Sequence, residues 1–222
     1  MPNFSKLRGV LLIILFFTCS GGALAQSPHN HRHSFADAEK WKAIFDDPAR
    51  DIWQKPQEVI AALALAPDAT VADLGAGTGY FAMRLAAALP QGRVFAVDIE
   101  PGMVQHVAAR AKHNHAANLV AVQGATDDPR LPGKANLILL VNVYHHIAQR
   151  EKYFAGLRDA LKPGGRIAVI DFTADSPVGP PRSARISAAR VKDEMRNAGF
   201  SSNEEHGFLP HQYFLVFTPG RP

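Results

Sequence analysis

The stretch Val71-Ala72-Asp73-Leu74-Gly75-Ala76-Gly77-Thr78-Gly79-Tyr80-Phe81 sets one acidic side chain and three alternating glycines between an apolar run and a helix-like pattern. Glycine has no Cβ, so such a junction can turn tightly and let a ligand touch the backbone at the carboxyl end of a strand. A dinucleotide-binding turn wants a sixth-position glycine, and Tyr80 stands there, which disfavours a nicotinamide-dependent reductase. Asp98 ends the next apolar run; its two carboxylate oxygens suit a pair of hydroxyls, with Glu100 as a neighbouring alternative. Further on, Asn142-Val143-Tyr144-His145-His146 follows the run Leu137 to Val141 and gathers an amide, a phenol and two imidazoles at one place. An unperturbed imidazole titrates near pH ~6.5, so His145 or His146 can take a proton at neutrality; a His-His pair at a helix start can equally cap or pack.

Those groups meet only if their strands end together. Five apolar runs supply candidates: Thr70 to Leu74, Arg93 to Asp98, Leu119 to Gln123, Ala135 to Val141 and Arg166 to Phe172. Helical spacing fills the intervals at Tyr80 to Leu89, Met103 to His115 and Arg150 to Leu161, and a last helix fits Ser187 to Ala198, closed by Gly199. The alternation predicts an α/β fold with a mostly parallel sheet and helices on both faces. Two strand-like runs between Asn203 and Thr218, broken near Leu209-Pro210, predict a C-terminal antiparallel hairpin. Upstream, helical spacing marks Phe35 to Phe45 and the segment after Pro56, whose apolar face is Val59, Ile60, Leu63 and Leu65. Residues 35–66 thus form a helical section ahead of a domain at 67–222. With Arg50-Asp51-Ile52-Trp53-Gln54-Lys55-Pro56 this section is a candidate lid that excludes water, although Trp41, Phe45 and Trp53 serve equally as core.

Asp73, Gly75, Gly77 and Gly79 stand in the register of motif I of class I S-adenosylmethionine-dependent methyltransferases, and the surrounding text resembles that family over residues 55–218. The resemblance implies a Rossmann-like fold and S-adenosylmethionine as cofactor. It implies that these four residues border the amino acid part of the cofactor and that Asp98 holds the ribose hydroxyls. In Gly124-Ala125-Thr126-Asp127-Asp128-Pro129-Arg130-Leu131-Pro132 the acid that relatives place directly after the glycine is displaced, so adenine contact passes to Asp127, or the segment is simply a turn. Asn142 is expected at the methionine end, with Tyr144, His145 and His146 toward the acceptor. Leu161-Lys162-Pro163-Gly164-Gly165-Arg166 resembles the turn into the family's fifth strand. The implied activity is methyl transfer to a small molecule; the alternative is a protein that binds S-adenosylmethionine or S-adenosylhomocysteine without transfer.

The chain has 222 residues, 47% of them hydrophobic, enough for one sizeable core. Lys6 and Arg8 precede the apolar run Val10 to Phe17, and small residues lead to Ala23-Leu24-Ala25. Residues 1–25 therefore read as a signal peptide for export to the periplasm or medium, with an uncleaved membrane anchor as the alternative. A lipoprotein would use Cys19, but Phe16-Phe17-Thr18 matches a lipobox poorly. Cleavage removes two basic residues and no acidic one, so the formal charge falls from +4 to +2. No cluster of Lys or Arg of the kind that displaces counterions from nucleic acid is present, which excludes that substrate. Cys19, the sole cysteine, leaves with the leader, so thiolate chemistry is excluded as well; arsenite methylation would be expected to need cysteine ligands. Residues 26–34 read as a polar tether; His29, His31 and His33 lack a fixed coordination geometry, and no metal site is expected.

Overall fold

Four of the five apolar runs become strands with the expected bounds: β1 (Thr70–Leu74), β2 (Arg93–Asp98), β3 (Leu119–Gln123) and β4 (Ala135–Val141). The computed structural model describes residues 38–220, so the expected leader, the histidine tether and the start of the first helix at Phe35 lie outside the described residues. The fifth strand, β5 (Leu161–Phe172), begins earlier than the apolar run from Arg166 predicts. Its pairing with β4 jumps from Ala135↔Leu161 to Leu137↔Arg166, so Lys162 to Gly165 bulge out of register, with Gly164 at φ 74°. The expected hairpin is β6 (Phe200–His206) and β7 (Gln212–Pro219).

All seven strands form one sheet in the order β3-β2-β1-β4-β5-β7-β6, parallel from β3 to β5 and antiparallel at β7 and β6. The helices are α1 (Ala38–Phe45), α2 (Arg50–Gln54), α3 (Pro56–Ala62), α4 (Tyr80–Ala88), α5 (Pro101–His113), α6 (Arg150–Leu157) and α7 (Ala188–Asn197). The spacing had not marked α2 as a helix. Proline suits the first turn of α3 and α5 because its missing N–H has no partner there in any helix. Ser187 caps α7 by accepting the Arg190 N–H. The helix expected to run to Leu161 stops at Leu157, and a 3-10 turn at Arg158–Ala160 leads into β5.

Apolar runs without alternation suit strands covered on both faces. Leu137, Leu139 and Val141 of β4 pack in one layer with Val59, Phe81, Leu85 and Val107, so α3, α4 and α5 cover that face. Ile138 and Leu140 point the other way, into a layer with Phe154, Leu157, Val191 and Met195 of α6 and α7. Each fully buried Leu, Ile or Phe of these layers contributes roughly 1.5–3 kcal/mol. The strand order reverses at β1, where β2 lies on one side and β4 on the other, which opens a crevice above the carboxyl ends. Leu74 pairs with both Val97 and Leu140, so the loops after β1, β2 and β4 leave the sheet at one level.

Candidate functional site

The chain leaves β1 through Gly75, Gly77 and Gly79, at φ 69°, 55° and 85°, a region where a side chain is strained. The N–H groups of Gly75 and Ala76 both donate to the Val97 carbonyl of β2, which folds the loop back over the strand ends. Gly75 is exposed, and a Cβ built on it would collide with Val143 Cγ2 in the loop after β4. The loop thus keeps a strip of bare backbone facing the crevice.

Beneath the loop, Asp73 is buried and its Oδ2 has no hydrogen-bond partner among the described residues. Burial pushes its carboxyl up to about 7, against the lowering effect of the Ala82 backbone N–H and the Arg50 charge. A buried carboxylate oxygen left without a donor is costly, and a cationic group reaching the loop would satisfy it. Asp98, at the end of β2, accepts the Gly77 N–H on Oδ2 at 2.8 Å and the Glu100 N–H on Oδ1 at 3.0 Å. Burial raises its pKa, and each oxygen keeps a further lone pair for a hydroxyl. Ile99 beside it is 45% exposed. Asp127 is exposed in the loop after β3, where the Asp128 carbonyl accepts the Ala125 N–H at 2.7 Å and the Asp128 carboxylate accepts the Arg130 N–H at 2.8 Å, so the segment is built as a turn.

After β4, Asn142 takes a left-handed conformation at φ 60° and turns its amide toward the N-terminal helices. It joins a closed ring of three amides: Gln54 donates to Gln212 at 2.6 Å, Gln212 donates to Asn142, and Asn142 donates to Gln54 at 3.4 Å. Gln54 is wholly buried, so the ring fastens α2 to the start of β7 and to the loop after β4. Nothing in the sequence spacing links these three positions. Trp53 on α2 lies 6.0 Å from the Phe172 ring and 6.3 Å from His211, forming an aromatic wall at the end of β5.

The histidine pair divides. His145 sets Nδ1 2.8 Å from Asp171 Oδ2 at the end of β5, with side chains only 4% and 3% exposed. Asp171 also accepts the backbone N–H groups of His145 and Phe172. A carboxylate only accepts, so Nδ1 carries the proton and Nε2 keeps the lone pair in the neutral ring. His146 is exposed, its ring centroid 4.0 Å from that of His145. Tyr144, expected toward the acceptor, instead lies fully buried, stacked on Phe154 and donating its hydroxyl to Glu194 of α7 at 2.8 Å. The 3-10 turn at Tyr144–His146 points that ring down into the α6–α7 layer, so it is a core anchor.

The N-terminal helical section touches the glycine loop and the helices beside it. Phe45 packs against Gly77, Asp46 bridges Thr78 and Arg110, and Asp51 binds both Arg84 and the Tyr80 hydroxyl. Asp171 and Gln212 were not singled out by sequence reasoning, and Arg50 was named only within the segment Arg50 to Pro56, with no role of its own. An acid at the end of β5 was a readable signal for the first; the other two come into place only through the tertiary fold.

Comparison with known proteins fits this geometry. Residues 72–167 match the family model of a methyltransferase domain. The chain is 30% identical over 97 residues to a malonyl-[acyl-carrier protein] O-methyltransferase of Hahella chejuensis, covering 44% of this chain and 34% of that protein. It is 29% identical over 116 residues to an arsenite methyltransferase of Halobacterium salinarum, covering 51% and 30%. The chain therefore matches about a third of the length of these curated relatives. A solved S-adenosylmethionine-dependent methyltransferase from Aquifex aeolicus shares the fold with a TM-score of 0.75 and 22% identity, over 82% of this chain and 97% of that one.

Proposed function

We propose, from the premise that this chain belongs to the class I S-adenosylmethionine-dependent methyltransferases, that it transfers a methyl group from S-adenosylmethionine to a small-molecule acceptor. The observation that carries the reading is the unpartnered Asp73 oxygen under a bare glycine loop, with the Asp98 carboxylate at the neighbouring strand end. That arrangement fits a ligand with an ammonium at one end and a ribose at the other. S-adenosylmethionine, when bound, supplies a methyl group on a sulfonium open to in-line displacement.

The chain's own part is placement and proton handling. Asp73 would take the ammonium, the backbone of Gly75 and Gly77 would border the amino acid part, and Asp98 would accept from the ribose hydroxyls. Exposed Ile99 offers an apolar surface beside that position, while Asp127 is the acid available to the adenine side. Asn142, held by the amide ring, borders the methionine end, and α1 and α2 keep water from the crevice. An acceptor lone pair would displace sulfur in line at that methyl group, and the part left to this chain is to align the two. Alignment provides much of the acceleration. Where the acceptor atom bears a proton, His145 Nε2 accepts it, with Asp171 orienting the ring and stabilising the imidazolium; exposed His146 stands beside it at the acceptor side. Arsenite is a poor acceptor for this site, because no cysteine occurs among the described residues to hold it. The leader at residues 1–25 directs the protein out of the cytoplasm.

Calorimetric titration of the purified protein with S-adenosylmethionine, S-adenosylhomocysteine and NAD tests the reading. Saturable binding of the first two and not of NAD is expected. A folded protein that binds neither adenosyl ligand overturns it.

A further inference from the structure

Two kinds of surface meet at the carboxyl end of β5. Asp171 and Phe172 are consecutive there, and successive side chains leave a strand on opposite faces. On one side stands the His145 ring, held through Nδ1 on Asp171, so that Nε2 is the nitrogen free to take a proton. On the other stands Phe172, between Trp53 of α2 and the loop after β5, where Gly179 at φ 95° comes so close that an added Cβ would strike the ring at 2.7 Å. Phe172 is buried, whereas Trp53 and His211 in front of it are half-buried and His146, beside His145, is exposed. The open part of this strand end is therefore aromatic.

The charged groups nearby have partners within the protein. Asp171 accepts from the His145 ring and from two backbone N–H groups. Arg185, in the loop after β5, donates to the carbonyls of Thr173, Ala174, Ser176, Val178 and Pro180 at 2.8 to 3.2 Å. The Arg50 guanidinium, 6.0 Å from the Trp53 ring, donates to Gln54 and to the Phe45 carbonyl. What this end offers to the body of an acceptor is flat π surface rather than a countercharge. The base narrows the reacting atom. Imidazole is a weak base, and general-base transfer works best on a proton of comparable acidity; a phenol, at pKa ~10, comes close to that condition, and an alkyl alcohol, a far weaker acid, does not.

We propose that the acceptor is an uncharged planar phenol, its ring laid on Trp53 and its hydroxyl on His145 Nε2. The proposal rests on the donor being S-adenosylmethionine, as read above. The phenol O–H would give its proton to His145 Nε2, an oxygen pair would form the bond to the methyl carbon, and the carbon–sulfur pair would stay on sulfur. The products are an aryl methyl ether, S-adenosylhomocysteine and one proton. Trp53 is then a specificity residue, and Phe172 with Gly179 behind it fixes the wall on which the ring rests.

The test titrates the complex with S-adenosylhomocysteine calorimetrically with phenol, catechol and 2-naphthol, and with cyclohexanol and benzoate as the non-planar and the anionic control. Saturable binding of at least one phenol, and neither control, is expected. Trp53→Leu should weaken that phenol roughly 10-fold, the worth of an aromatic contact and its buried area, while Trp53→Phe keeps most of the affinity. Both variants should bind S-adenosylhomocysteine as the wild type does, which shows that they are folded. With S-adenosylmethionine the wild type should form the aryl methyl ether and leave 2-naphthalenemethanol untouched, and His145→Gln should slow the transfer about 100-fold or more with the phenol still bound. A complex that binds no phenol, binds cyclohexanol or benzoate equally well, or loses the phenol as much in Trp53→Phe as in Trp53→Leu overturns the proposal. A wild-type protein that does not bind S-adenosylhomocysteine overturns the donor reading itself, an outcome distinct from those.

Discussion

At the scale of single residues, the site is defined by polar groups that the fold leaves short of partners or commits to one. Asp73 shows the consequence most directly. Its pKa in the folded protein, about 7, lies above the ordinary value of 3.8. A raised carboxyl favours the folded state fully below the ordinary pKa and loses that contribution as pH rises toward 7. Stability of the ligand-free protein should therefore fall between pH ~4 and ~7 by an amount that Asp73→Asn removes, as thermal melts across that range would show. The ammonium of S-adenosylhomocysteine needs the ionised form, so binding near pH 7 should release a proton, read as a dependence of the calorimetric heat on buffer ionisation enthalpy, and affinity should weaken at lower pH. A pH-independent melt and a buffer-independent heat would remove Asp73 from the ammonium role. The sequence placed Asp73, Asp98 and Asn142 correctly at strand ends, because Asp73 is the last residue but one of its apolar run, Asp98 closes its run and Asn142 directly follows its run. It could not reveal that Tyr144 turns inward to Glu194 while its neighbour His145 meets Asp171, since adjacent residues in a 3-10 turn separate only once α7 and β5 are in place.

At the scale of elements, the glycine loop and the segment after β4 are shaped to each other. Gly75→Ala places a Cβ at positive φ and against Val143. The backbone strain alone is about 1–2 kcal/mol, so chemical denaturation should register at least that loss, together with weaker binding of S-adenosylhomocysteine. Adding Val143→Ala should recover the part due to the collision and leave the part due to φ. If the second substitution recovers nothing, the loops do not press on one another as described. The strands were readable to the residue for β1 to β4, where the apolar run and the pairing coincide. The start of β5 was not, because Lys162 to Gly165 look like a turn and become a bulge once Leu161 pairs with Ala135. Helix α2 escaped for a related reason: five residues are too few to display a period.

At the scale of the whole molecule, the sheet order brings the ends of β1, β2, β4 and β5 to one crevice, and the start of the antiparallel β7 adds Gln212, with His211 just before it. No helix among the described residues is long and apolar enough to cross a membrane. Export, if residues 1–25 act as a cleaved leader, predicts that protein recovered from a secreting host has the intact mass of a chain beginning at Gln26. Recovery of the full-length mass from the membrane fraction would favour the uncleaved anchor. In the periplasm the donor would have to come from the cytoplasm, so binding measurements come before any search for an acceptor.

The sequence alone determined the fold class, the positions of most strands, the glycine loop and its flanking acids, because these depend on period, chain order and the absence of a Cβ. Tertiary structure alone decided the ring of Gln54, Asn142 and Gln212, the pairing of His145 with Asp171 and the inward turn of Tyr144. Each of those joins groups from separate elements or depends on which neighbour is already satisfied. A hydrogen-bond ledger closes only in three dimensions.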